Sequence, residues 1–208
     1  MALPLGNGWQ WAFVEGGVGP GKSILIQGPG QQGLGCVLAS KDAGASLIIV
    51  AGLSRDTKRL EVARRLGADI TIDVEKEDLR ERVNEVTKGR GVDVVVDVAA
   101  SSEKTVLPAM DVLSKKRSTL VIAAGSTEQK INNFPIGTLK LKYMAVKAGR
   151  GHSYQCVEMA LRTIASGKYP IHELCSHKFG INEVDLALRT ASGEGLPDPI
   201  HVSVVPQA

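Results

Sequence analysis

Short apolar runs recur along this chain, separated by longer stretches whose apolar residues fall three or four positions apart. Ser23 to Gln27 opens the series, and Leu47 to Val50, Ile70 to Ile72, Val92 to Val98, Leu120 to Ile122 and Tyr143 to Val146 continue it. Between the runs, Leu34, Cys36, Val37 and Leu38 predict a helix reaching about Gly44. Leu60, Ala63 and Leu66 share one side of a second helix, which Gly67 ends. Leu79, Val83 and Val86 lie at i, i+4 and i+7 of a charged third helix, and Val106, Met110 and Leu113 mark a fourth. Val157, Ala160, Leu161 and Ile164 form a later helical face behind Ser153, a natural N-cap. Met1 to Val14, with Trp9, Trp11 and Phe13, shows no clear period. Strands apolar on both faces, alternating with helices, predict an α/β fold with a doubly wound parallel sheet of six strands. Ligands of such sheets bind beyond the carboxyl ends of the strands, where the strand order reverses.

The first run leads into Gly28-Pro29-Gly30-Gln31-Gln32-Gly33, which has the spacing G-x-G-x-x-G. Strand, glycine turn and helix in that order make a Rossmann-type dinucleotide site. Gly28 permits the tight turn, Gly30 lets backbone approach a pyrophosphate, and Gly33 lets the helix sit close on the strand. The N–H groups of the first helical turn, around Gln31 and Gln32, then face the phosphates with the positive helix end.

Two other motifs point elsewhere and fail on context. Gly16 to Ser23 fits the phosphate-loop pattern G-x-x-x-x-G-K-S, yet a strand follows it where that loop requires a helix. It reads as a turn before the first strand. Tyr143 and Lys147 fit the Y-x-x-x-K pair of short-chain dehydrogenases, in which a helix lets the lysine lower the phenol's pKa. The flanking residues here predict a strand instead, and that family's glycine spacing would need glycine at Pro29.

The end of the second strand bears on the choice of cofactor. An acid about 20 residues beyond the glycines usually holds the ribose 2′-hydroxyl of NAD. Gly52 stands 19 positions after Gly33, followed by Leu53, Ser54 and Arg55, with Arg59 one turn on. A small residue, a hydroxyl and a guanidinium suit a 2′-phosphate, which favours NADP over NAD. Two alternatives stay open: a solvated helix face balanced by Asp56 and Glu61, or a ribose contact from Asp56 after a longer loop.

From about Gly16 onward the chain resembles the cofactor-binding half of a medium-chain dehydrogenase/reductase of the zinc-containing alcohol dehydrogenase type. The residues that carry the resemblance are Gly21 to Gly33, Arg59 to Asp69, Gly91 to Asp97 and the tail from Gly167-Lys168-Tyr169-Pro170 onward. The resemblance implies that Val98 and Ala99 after the fourth strand, Ala124 and Gly125 after the fifth, and Gly149 after the sixth touch the ribose or nicotinamide. It implies a pyrophosphate contact at His201. It also implies a homodimer joined edge to edge through the sixth strand, Tyr143 to Val146, with Tyr143 and Lys147 on that edge.

In the resembling family a catalytic domain precedes the cofactor half and supplies zinc ligands. No Cys or acid stands from Leu3 to Gly6, where the last ligand would fall, so we expect zinc only if a further domain is present. His172, Cys175 and His177 form H-x-x-C-x-H, but a strand would turn His172 away from the other two. We therefore name no metal ligand and no catalytic residue. The expected organisation is a remnant or linker over 1–18, an NAD(P)-binding Rossmann domain over 19–168, and a segment over 169–208 that would normally return to the missing catalytic domain. Tyr169 to Gly180 should then be left with open strand edges. The expected function is the cofactor-binding portion of an alcohol or carbonyl oxidoreductase, truncated and inactive alone. The alternatives are a stand-alone dinucleotide-binding module and the cofactor half of a zinc-independent quinone or enoyl reductase. Arg150 or His152, at the end of the sixth strand, is a further candidate to reach the cofactor. Asp97 reads as a turn or capping residue more than a base.

Composition narrows the partners. With 208 residues and a net charge of +3, evenly spread, the chain shows no basic patch for nucleic acid or an anionic membrane. No apolar run approaches the roughly 20 residues of a membrane span, and the start lacks a signal-peptide pattern. Three cysteines without pairing rhythm, Cys36, Cys156 and Cys175, predict reduced thiols and a cytoplasmic protein.

Overall fold

A computed structural model describes residues 1–206 of the chain. Six parallel strands form one sheet: β1 (Ser23–Gln27), β2 (Leu47–Gly52), β3 (Ile70–Asp73), β4 (Val94–Asp97), β5 (Thr119–Ile122) and β6 (Ala145–Ala148). Their order is β3-β2-β1-β4-β5-β6, so the chain reverses direction across the sheet between β1 and β4. This is the Rossmann-type α/β architecture expected from the alternating pattern.

The period of two along each strand divides the core. Ile24, Ile26, Ile48, Val50, Val94, Val96 and Val121 pack on one face. That face is covered by α2 (Gln31–Asp42), α3 (Thr57–Leu66) and α7 (Tyr154–Ala165). Leu25, Ile49, Ala51, Val95 and Leu120 point to the other face, against α4 (Leu79–Thr87) and α5 (Glu103–Val112). Local signals end the helices where the sequence suggests. Asp78 caps α4 by accepting from the N–H groups of Arg80 and Glu81, and Gly67 closes α3 at φ 115°.

The amino-terminal segment is helical despite its missing period. α1 (Ala2–Gly8) runs directly into a π-helical stretch, Trp9–Glu15, and buries Leu5, Trp9, Trp11 and Ala12 in the first face of the core. A Cβ on Gly8 would lie 2.2 Å from the carbonyl oxygen of Gly35, and one on Gly35 would lie 2.3 Å from that of Pro4. Helices α1 and α2 therefore cross with backbone nearly on backbone. The wider π turn also shifts Trp11 and Ala12 off the three-and-four schedule, which hides the helix from a periodicity reading.

Three expectations need correction. Strand β6 spans Ala145–Ala148, not Tyr143 to Val146, because α6 (Ile136–Lys142) precedes it and Tyr143 caps that helix at φ 48°. Lys147 does lie on β6; Tyr143 does not. The second correction is partial and concerns the carboxyl-terminal segment, where β7 (His177–Phe179) finds a partner on one side and, among the described residues, keeps its other edge open. It joins β8 (Val202–Val204) in a small parallel sheet, with α8 (Val184–Ser192) between the two. Ser176 ties this unit together, accepting from the N–H groups of Ile200 and His201 while donating to the His201 carbonyl. Third, His172 lies in a 3₁₀ turn, Ile171–Leu174, with Cys175 just after it, so the three donors do not share a strand. Among the described residues no helix is long and apolar enough to cross a membrane.

Candidate dinucleotide site

The three glycines after β1 do different work. Gly28 sits at φ 103°, where a side chain would be strained, and a Cβ there would also press on Ala99 at 3.0 Å. Gly33 has no room at all: its Cβ would stand 1.8 Å from the carbonyl oxygen of Gly28. That contact seats α2 against the end of β1. Gly30 differs, since a Cβ there would meet nothing within 4 Å. The fold does not need glycine at that position; an occupant approaching the start of α2 would. Gly30 is the N-cap of α2, and among the described residues no side chain accepts from the free N–H groups of the first turn.

A cleft of about 700 Å³ opens beside this turn, along the ends of β1, β2, β3 and β4. It brings together Gly28, Gly30, Gly52, Arg55, Arg59, Val98 and Ala99 from the sequence-derived set. The remaining members are placed outside it. Gln31 and Gln32 begin α2, and their side chains are engaged: Gln31 Oε1 lies 2.6 Å from His201 Nδ1, and Gln32 Oε1 accepts from Asn7. Asn7 in turn meets His152 Nδ1 at 2.7 Å, which ties that histidine to α1. Ala124 and Gly125 follow β5, where the Ala124 N–H donates to Ser101 Oγ across the adjacent loop. Gly149 follows β6 and is wedged between Ala123 and Trp11.

The rim at the end of β2 separates the candidate cations. Arg59 donates to the Pro199 carbonyl at 3.1 and 2.5 Å and to Asp56 at 3.0 Å, so its guanidinium is engaged within the fold. Asp56 is buried, and its other oxygen accepts the N–H of Leu53. Ser54 donates its hydroxyl to Asp73 at 2.7 Å. Lys76 first, and then Ser54, hold the Asp73 carboxyl below its usual range. Arg55 is exposed, lines the cleft, and makes no side-chain hydrogen bond or ion pair among the described residues.

Asp97 behaves as a turn residue. One oxygen accepts the N–H of Ala99 at 3.0 Å and the other the hydroxyl of Thr105 at 2.6 Å, joining β4 to the start of α5. His201 is held below the ordinary histidine range, first by burial and then by the positive amino terminus. Cys36 lies fully inside the core, and burial pushes its thiol up to about 12, which makes it inert. Lys22 of the phosphate-loop look-alike is 3.7 Å from Asp93 at the amino end of the sheet, the end opposite the cleft.

Sequence reasoning missed Gln27, Lys104 and Thr105, and the residues Glu77 to Arg80 that lead into the first turn of α4, all of which line the cleft. Gln27 alone carried a signal, as a polar residue closing an apolar run. Among the described residues no three His, Cys, Asp or Glu side chains gather closely enough to hold a metal ion. The donor set present here does not fit zinc.

Comparison with known proteins agrees with this geometry. The family model described as zinc-binding dehydrogenase matches residues 33–166, more than half of the chain. The chain belongs to the zinc-binding dehydrogenase family. Its glycine turn and parallel sheet are thus those of the cofactor-binding half of a zinc-type, medium-chain alcohol dehydrogenase. A Mycobacterium tuberculosis protein named "Probable alcohol dehydrogenase adh" is 32% identical over 207 residues, which is 98% of this chain and 56% of that protein. A sorbitol dehydrogenase of Halalkalibacterium halodurans is 29% identical over 186 residues, covering 89% of this chain and 53% of its own length. Among solved structures, an alcohol dehydrogenase of Thermotoga maritima superposes with a TM-score of 0.86 at 22% identity, over 98% of this chain and 55% of that one. That likeness shows the fold. The chain spans about half the length of the relatives it matches.

Proposed function

We propose that this zinc-binding dehydrogenase chain binds NADP and is the cofactor-holding portion of an oxidoreductase that moves hydride between nicotinamide and an alcohol or carbonyl carbon. The observation that carries the reading is the open space at Gly30. Gly28 and Gly33 are required by the fold itself, whereas Gly30 leaves room only for something outside it. The free N–H groups of α2 and its positive end sit beside that space, as a pyrophosphate needs. His201, which meets Gln31 at 2.6 Å, would add a contact from the carboxyl-terminal segment.

The choice of NADP rests on Arg55. Of Arg55 and Arg59, the two arginines near the end of β2, it is the one left uncommitted among the described residues, and a guanidinium takes a phosphate through two parallel hydrogen bonds. Asp56, the acid that would favour NAD, already accepts from Leu53 and Arg59. Gly52, at the end of β2, packs against Pro29 of the glycine turn, since a Cβ there would fall 2.8 Å from its ring. Val98 and Ala99 would meet the cofactor where the cleft crosses the end of β4, and Ala124, Gly125 and Gly149 would line the nicotinamide half. When bound, the nicotinamide supplies or accepts the hydride; the residues of this chain bind and orient it.

No zinc step is assigned to these residues, and turnover needs an electrophile and proton path that they do not supply. We infer that the chain alone binds cofactor without oxidising alcohols. Among the described residues β6 pairs only with β5 and is exposed at all four positions, which supports a homodimer formed through that edge. Free Cys36, Cys156 and Cys175 support a reducing, cytoplasmic setting. Fluorescence titration with NADPH and NADH tests the reading. NADPH should bind at least about tenfold tighter, and tighter binding of NADH would overturn the choice. Failure to bind either would end the proposal itself, and alcohol oxidation by the chain alone would refute its passivity.

A further inference from the structure

The floor of the cleft holds a polar atom that the fold leaves unmatched. Gln27 ends β1, is 5% exposed, and lies on the same face of the strand as Leu25, toward α5. Its Nε2 donates to the carbonyl of Thr105 at 3.3 Å. That bond sets the amide's orientation, because exchanging oxygen and nitrogen would bring two acceptors together. Gln27 Oε1 is therefore an acceptor, and it is buried with no hydrogen-bond partner among the described residues. Its neighbour in register, Asp97, cannot help: a carboxylate only accepts, and both its oxygens are already bonded.

Buried polar groups are nearly always paired, so an unmatched acceptor on a residue that lines a cleft points to a donor on the occupant. The walls around it say which part of the occupant comes near. Pro29, Leu53, Val98 and Pro108 line the cleft with Gln27, an apolar slot suited to a flat ring. Arg55 stands farther out, past the end of β2, where a ribose phosphate would lie.

We propose that Gln27 Oε1 accepts a hydrogen bond from the exocyclic amino group of the cofactor's purine, so that this chain selects a 6-amino base. The proposal rests on the dinucleotide reading above and adds base recognition to it. A ribose hydroxyl is the competing donor, and it is common to cofactors of any base.

The test compares NADPH with its hypoxanthine analogue, whose ring carries a carbonyl oxygen in place of the amino group; NADH and its analogue form a second pair. Wild-type chain should bind the amino form about tenfold tighter, since the analogue sets acceptor against acceptor. In Gln27→Met and Gln27→Leu the ratio should fall to near one, with the fold checked by circular dichroism. Equal affinity of the wild type for both forms of the cofactor that binds overturns the proposal, whatever the variants do. A ratio that persists in a folded Gln27 variant overturns it too, and leaves the dinucleotide reading intact. Failure of the wild type to bind any of the four would instead remove that reading, and this one with it.

Discussion

The two halves of the sheet's carboxyl rim differ in how much of a site they complete. Beyond β1, β2 and β3 the rim is braced from within. Asp56 pairs with Arg59, Lys76 with Asp73, and the carboxyl-terminal segment closes on α3 through Lys58–Asp198 and the Arg59 contact to Pro199. Beyond β4, β5 and β6 the chain is open. Ala99 and Gly125 are exposed, all of β6 is exposed, and Ile136, Leu141 and Tyr143 present apolar surface to solvent. On the reading proposed above, the nucleotide end of a cofactor would find its walls in this chain, whereas the hydride end would find a floor and few walls.

Substitutions in the braced half should separate fold from ligand. Gly33→Ala has the largest effect, because its Cβ would overlap the Gly28 carbonyl. We expect a loss of at least about 3 kcal/mol, read as a lower urea midpoint together with lost cofactor binding. Unchanged stability would show that α2 does not rest on Gly28. Next comes Arg55→Ala, which should weaken NADPH by about 2 kcal/mol, or some 30-fold, while NADH is unaffected in the same titration. Equal weakening of both would assign Arg55 to a general electrostatic role. Gly30→Ala should cut dinucleotide affinity about tenfold and alter stability by less than about 1 kcal/mol. This contrast with Gly33→Ala is the sharpest separation of a ligand-required glycine from a fold-required one.

The smallest effect should come from His201, which links the closing segment to the glycine turn. Its folded form resists protonation, so its contribution to stability is full above the ordinary value of 6.5 and falls as pH drops through it. Urea midpoints of wild type and His201→Gln, followed from pH 7.5 to 5, should change so that the variant gains relative to wild type in acid. Parallel curves would mean that the histidine is as free in the folded chain as in the unfolded one.

Much of this protein was settled by local chemistry that its sequence displays. Apolar runs at Ile24–Ile26, Ile48–Val50 and Val94–Val96 demand cover on both faces, and G-x-G-x-x-G after the first of them sets the turn and the helix start. Those features act over a few residues, so they are legible without coordinates. The tertiary structure decided what depends on distant partners. It made a helix of Met1 to Val14 by setting Gly8 on Gly35, and it paired β7 with β8. It bound Arg59 to Pro199 while leaving Arg55 open, although both looked alike as cations near the end of β2. It also buried Gln27 Oε1 without a donor. A hydrogen bond between residues more than a hundred positions apart leaves no periodic trace along the chain, and only the packed fold determines which of two similar side chains remains available to a ligand.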